Sequence, residues 1–354
     1  PGGDPAAVAV AQLHGPRLVR HPLNRFGRGI TVPGMQTALT EMLGVEHPVM
    51  LAGMGGVSYS ALCAAVSEAG GFGCLGASTM STEVMSEEIS AVRSATDKPF
   101  GVDLLTAAPQ DMPGNVQAII DGGGSVFVAG LGVPREVVEQ CHEQDVLVVN
   151  MCGKVHHAVE AVEAGCDIVV AQGTEAGGHT GRIATMPLVP MIVDEVGSEV
   201  PVVAAGGIFD GRGLAAALSL GAAGVWVGTR FIATPEARSV VGYKDRIVES
   251  DETGTLVTRA YTGKTCRVLT TEYADAFERS GVKPEPFPGQ FIKSMTDGAN
   301  HLGGDELTPD VDTDKEFMPA GQAVGAIDSL VPAARIVADM VSEAEAILAR
   351  FSHQ

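Results

Sequence analysis

Short apolar runs, each followed by a stretch of helical character, recur eight times between Thr37 and about residue 234. No other property of the chain restricts its fold as strongly. The runs are residues 48–52, 72–76, 100–105, 125–129, 146–150, 167–171, 202–205 and 224–228. They are almost continuously apolar rather than alternating, as strands buried on both faces are. Helices are predicted between them, for example at 60–68, 82–96, 154–163 and 214–220. Ala69-Gly70-Gly71 follows the first of these as a helix stop. Strands alternating with helices imply a parallel sheet with right-handed crossovers. Eight such units fit a closed (β/α)8 barrel. An open doubly wound sheet is the competing arrangement, but no Gly-x-Gly-x-x-Gly turn follows the first strand. The expected fold is α/β, a TIM barrel with a small, mainly helical cap inserted after the eighth strand.

The barrel is expected to span 37–234, completed by a C-terminal helix within 321–354. Residues 330–351 carry apolar positions at helical spacing, among them Val331, Ile336, Val337, Met340, Val341, Ala344, Ile347 and Leu348. Residues 235–320 are polar and rich in Pro and Gly, too long for a plain loop, and form the expected cap over the substrate. Residues 1–36, with basic pieces at 17–20 and 25–28, read as an N-terminal extension without an assigned role.

A net charge of -20 argues against nucleic acid and anionic membrane surfaces as partners. The six cysteines form no Cys-x-x-Cys pair and sit largely in apolar runs, as buried thiols of a reducing compartment do. No apolar run approaches the ~18 residues of a membrane span. The first residues lack a basic stretch followed by an apolar core. A cytoplasmic location is expected. The oligomeric state is left open, a homodimer included.

Active sites of such barrels lie at the carboxyl ends of the strands, and glycine clusters fall there. The first run ends in Ala52-Gly53-Met54-Gly55-Gly56, the seventh in Ala205-Gly206-Gly207-Ile208, the eighth in Gly228-Thr229-Arg230-Phe231. The sixth leads into Gln172-Gly173-Thr174-Glu175-Ala176-Gly177-Gly178-His179-Thr180-Gly181. Gly206, Gly207, Gly228 and Thr229 sit where loops after the last two strands commonly offer N–H groups to a phosphate. Met54 either closes the core or lies against a flat aromatic ligand. His179 either braces a turn or moves protons at the rim. No His-x-x-x-His pattern supports a metal site, and no Gly-x-Ser-x-Gly supports a serine hydrolase.

The segments Glu175 to Gly181, Ala204 to Gly213 and Gly228 to Phe231 together resemble the nitronate monooxygenase (2-nitropropane dioxygenase-like) family, over about residues 37–350. That resemblance implies an FMN enzyme with a (β/α)8 barrel and a cap. It places Gly178, Gly206, Gly207, Gly228 and Thr229 at the FMN phosphate, and Ala52, Gly53 and Met54 along the isoalloxazine. Gln172, Gly177, Asp103 and Gln322 complete the implied cofactor set, with His179 as catalytic base. The third strand often ends in Asn in this family, where this chain has Asp103. An ionised Asp accepts hydrogen bonds but cannot donate them as Asn does. Some members carry a Lys near the flavin after the fifth strand, where this chain reads Asn150-Met151-Cys152-Gly153-Lys154.

The implied reaction is oxidation of an alkyl nitronate by O2 to a carbonyl compound and nitrite. The run from Glu175 to Met186 resembles the FabK-type enoyl-acyl carrier protein reductases as much. The alternative is therefore an NAD(P)H-dependent FMN reductase of a quinone or of an enoyl or CoA thioester. A third reading is a barrel that binds a phosphorylated ligand without redox chemistry.

Overall fold

The computed structural model describes residues 35–106, 111–130, 132 and 134–350. The N-terminal extension, apart from its last two residues, lies outside the described residues. Eight parallel strands form one sheet: β1 (Val49–Leu51), β2 (Gly73–Gly76), β3 (Phe100–Leu105), β4 (Val126–Gly130), β5 (Leu147–Cys152), β6 (Ile168–Gln172), β8 (Val202–Ala205) and β9 (Gly224–Val227). The order is β1-β9-β8-β6-β5-β4-β3-β2. A parallel bridge between Met50 and Phe72 joins β1 to β2, through Leu51 N–H to Phe72 O (2.8 Å) and Phe72 N–H to Val49 O (2.9 Å). The sheet thus closes on itself as a (β/α)8 barrel, and every expected strand is present.

The alternation of side chains along each strand divides the core in two. Val49, Leu51, Leu75, Phe100, Val102 and Phe127 pack outward under the helices. Met50, Phe72, Cys74, Val128, Ile168, Val170 and Trp226 fill the barrel interior. Polar residues set the helix starts by side-chain capping. Ser81 accepts from Val84 N–H at the head of Thr82–Ala95. Asp210 accepts from the N–H groups of Arg212 (3.0 Å) and Gly213 (3.3 Å) at the head of Gly211–Ser219. The C-terminal helix Ala333–Ala349 packs on that last helix. Gly211 is required there, because a Cβ would lie 2.5 Å from Met340 O.

The chain between β9 and the C-terminal helix holds helices Tyr243–Val248, Glu272–Ser280 and Gly289–Thr296. It also contains a hairpin, β10 (Thr255–Thr258) and β11 (Cys266–Leu269), absent from the expected elements. A two-residue strand, β7 (Gly178–His179), pairs antiparallel with β11, setting His179 opposite Cys266 and Gly178 opposite Arg267. The glycine loop after β6 is therefore an edge strand of a second, three-stranded sheet. Tyr261, Val268, Ala274 and Phe317 form a small core of their own beneath it. No helix among the described residues is long and apolar enough to cross a membrane.

Candidate active site

The carboxyl ends of the barrel strands surround a cavity of about 420 Å³. Ala52, Gly53, Met54, Asp103, Gln172, Gly177, Gly178, His179, Gly206, Gly207, Gly228 and Thr229 all line it. Gln322 does not. It is exposed, and its N–H donates to Glu175 O (2.9 Å), while its neighbours Gly321 and Ala323 reach the cavity. Lys154 is also outside this cavity, and Met151 occupies the wall at the end of β5.

Two glycine positions show why the rim is built as it is. A Cβ on Gly53 would stand 2.2 Å from Asp103 Cβ, so the ends of β1 and β3 meet only with glycine there. Gly206 and Gly207 have φ of 106° and 73°, a left-handed turn that other residues enter at a cost. Gly206→Ala is expected to lower stability by about 1–2 kcal/mol from backbone strain alone. The added Cβ would also press to 2.7 Å from Thr185 Oγ1. A fall in the thermal unfolding midpoint against wild type checks this.

The loop bearing His179 is held from both ends. Gln172 Nε2 donates to His179 O (2.7 Å). The Glu175 carboxylate accepts from Thr185 N–H (2.9 Å) and from Thr185 Oγ1 (3.0 Å). From the hairpin, the buried Arg267 donates through Nε to Thr174 O (3.0 Å) and through Nη1 to Thr255 Oγ1 (3.2 Å).

The imidazole of His179 meets the hairpin turn. Its Nε2 lies 3.1 Å from Thr262 Oγ1. That hydroxyl donates to Lys264 O (3.1 Å) and accepts from Lys264 N–H (3.2 Å). When the hydroxyl gives its proton to the Lys264 carbonyl, Nε2 is the ring donor and Nδ1 carries the lone pair. Burial, aided by the charge of Lys264, lowers the His179 pKa to about 4. The ring is therefore neutral at physiological pH.

Asp103 departs the other way. Its carboxyl sits at the foot of the cavity against Gly53, and burial raises its pKa to about 8. At pH 7 it is largely the neutral acid, with one O–H to donate and a carbonyl oxygen to accept. In that form Asp103 can donate as well as accept, as Asn does.

Sequence reasoning missed Thr262 and the pair His301–Glu316, which also line the cavity. Glu316 is 1 % exposed. Its Oε1 accepts from His301 N–H (2.8 Å) and its Oε2 lies 2.6 Å from His301 Nδ1. The sign of the hairpin in the sequence was a mostly β-branched run, Thr255-Leu256-Val257-Thr258, a glycine at 263, and Cys266-Arg267-Val268-Leu269, apolar except for Arg267.

A (β/α)8 barrel with a glycine-lined cavity at its strand ends, and with the neutral His179 in the wall, has the site of an enzyme where this fold places it. The sequence profile of the nitronate monooxygenase family matches residues 36–119 and 111–343. The chain belongs to that family. It is 35% identical over 343 residues to the (3aS,4S,5R,7aS)-5-hydroxy-7a-methyl-1-oxo-octahydro-1H-indene-4-carboxyl-CoA dehydrogenase of Mycobacterium tuberculosis, covering 88% of this chain and 96% of that protein. It is 33% identical to a probable nitronate monooxygenase of Staphylococcus haemolyticus, over 76% of this chain and 88% of that one. Among solved structures, FabK from Thermotoga maritima superposes with a TM-score of 0.81 at 33% identity, over 90% of this chain and 99% of that one.

Proposed function

We propose that the cavity holds FMN and that the chain exchanges hydride with an acyl thioester, with His179 handling the accompanying proton. The observation that carries this reading is electrostatic. No Lys or Arg is among the described residues lining the cavity, and His179 is neutral. A nitronate is an anion and would enter without a counter-charge, which is costly away from water. The acyl end of a thioester is neutral, and Phe287, Phe291 and Phe317 give it an apolar wall. The M. tuberculosis relative is named as a dehydrogenase of a CoA ester, which supports the same substrate class.

The residues present fit the cofactor. The Gly206–Gly207 turn, with Gly178, Gly228 and Thr229, offers backbone to a phosphate without a cationic side chain. Ala52, Gly53 and Met54 leave room for a flat ring, and neutral Asp103 and Gln172 can each donate and accept at its edge. Bound there, FMN would supply the hydride acceptor and donor. His179 Nδ1 takes the proton next to the thioester carbonyl in the oxidative direction and returns it in the reductive one. Thr262 fixes the ring's tautomer and orientation, and the segment between β9 and the C-terminal helix closes the site as a cap.

Nitronate oxidation is the second reading, favoured by the free Nδ1, which could also accept a proton from a neutral nitroalkane. The test is an absorption spectrum of the purified protein, then anaerobic mixing with a CoA thioester, with NADPH and with a nitronate. Flavin bleaching by the thioester, or by NADPH with reoxidation by an enoyl thioester, is expected. Bleaching by the nitronate alone overturns the thioester reading. A colourless protein that takes up no FMN overturns both.

Asp103 adds a prediction on pH. Its raised pKa means the donating O–H is present below about 8 and lost above it. FMN affinity, read by fluorescence quenching, is expected to fall as pH rises through that value. Asp103→Asn is expected to abolish the dependence. An equally steep fall in the variant would assign it elsewhere.

A further inference from the structure

We infer that a second cavity, behind His179, is an organophosphate subsite that takes the phosphate-bearing tail of a molecule whose reacting end lies in the first. The thioester reading enters only as the identity of that reacting end.

The second cavity has a volume of about 660 Å³. Met151, Gln172 and His179 line both cavities, so the two spaces adjoin at the imidazole. The two spaces differ sharply in charge. The first has no Lys or Arg in its wall, whereas the second has Lys154 and Lys264. These two come from different parts of the fold, Lys154 from the loop after β5 and Lys264 from the turn between β10 and β11.

Neither lysine forms an ion pair with a described residue, whereas Lys98, Lys293 and Lys315 do. The Lys264 ammonium stands 4.9 Å from the centre of the Phe287 ring, which belongs to the wall of the first cavity, so Lys264 lies where the two spaces adjoin. His157 lines the same space, and burial, then the charges of His156 and Lys154, lower its pKa. Glu160 is the one acidic residue among the described residues of the wall, and it is exposed, as Lys154 is.

In a chain of net charge -20, Lys154 and Lys264 beside the second cavity make a local positive field against a negative background. A single carboxylate would engage one ammonium. A multiply charged phosphate or diphosphate can engage both, and a cavity of this size accommodates the nucleotide that carries it. Coenzyme A and NADPH share this chemistry.

Calorimetric titration of the protein as purified with unacylated CoA, and separately with NADPH, tests the site without turnover. Wild type is expected to bind at least one of them, with affinity that falls as salt rises. Lys154→Met and Lys264→Met are each expected to weaken that binding roughly five- to tenfold, the double variant further, with Arg at either position restoring it. An effect on CoA assigns the site to the substrate's tail, and an effect on NADPH assigns it to the reductant's. Binding of neither by wild type, or unchanged binding by the double variant, overturns the inference. A thioester that fails to bleach the flavin, beside intact lysine-dependent binding, would count against the thioester reading alone.

Discussion

His179→Gln is expected to lower turnover by roughly 10²–10⁴-fold, the range of a lost general acid–base group, while flavin content stays at the wild-type level. Gln keeps a polar side chain near Thr262 but offers no nitrogen lone pair to a substrate proton. Two further observations separate a proton-handling role from a bracing one. Because burial and Lys264 hold the imidazole pKa near 4, the wild-type acid limb should fall off near that pH, not near the ordinary value for His. Lys264→Met removes one of the two causes and is expected to move the limb toward higher pH. If rate and profile both survive the Gln substitution, His179 is a structural residue and another group moves the proton. The same shift bears on stability. The unfolded chain takes up a proton at His179 near the ordinary value and the folded chain only near 4. Stability from this group is therefore present above the unfolded pKa and lost as pH falls between the two.

The largest loss of stability is expected from Glu316→Ala, at about 2–4 kcal/mol, from leaving two hydrogen-bonding groups of His301 without their acceptor. Glu316 is 1 % exposed, and its two oxygens hold the backbone N–H and ring of His301. Alanine would leave both His301 groups without a partner and open a void next to Phe317. Glu316→Gln keeps one carbonyl acceptor and should lose about half as much. Denaturant unfolding of the two variants against wild type decides this. A loss below about 1 kcal/mol in the alanine variant would mean that water takes over both contacts.

The barrel was legible in the sequence because its evidence is local. Strands buried on both faces must be apolar, so residues 100–105 and 167–171 announce themselves. The glycine rim was legible too, since Gly53 and Gly206 answer steric demands that no other residue meets. The surroundings of His179 were not. Its ring is oriented by Thr262, 83 residues away, and its basicity is set partly by Lys264. Both lie on a hairpin whose register with β7 depends on a strand of only two residues. Periodicity needs more residues than that to show itself. Gln322 failed as a lining residue for a related reason. Its turn reaches the cavity, but through Gly321 and Ala323.

The pairing of β7 with β11 has a consequence for how such an enzyme can be altered. The hairpin that walls the cavity also carries Thr262, which contacts His179, and Lys264, which adds to burial in lowering its pKa. On the proposed function, substrate range and proton chemistry are therefore inherited together. Exchanging this segment for that of a relative would import a different tuning of the histidine along with the new pocket. A chimera with excellent affinity for its new substrate could still turn over slowly until positions 262 and 264 were restored.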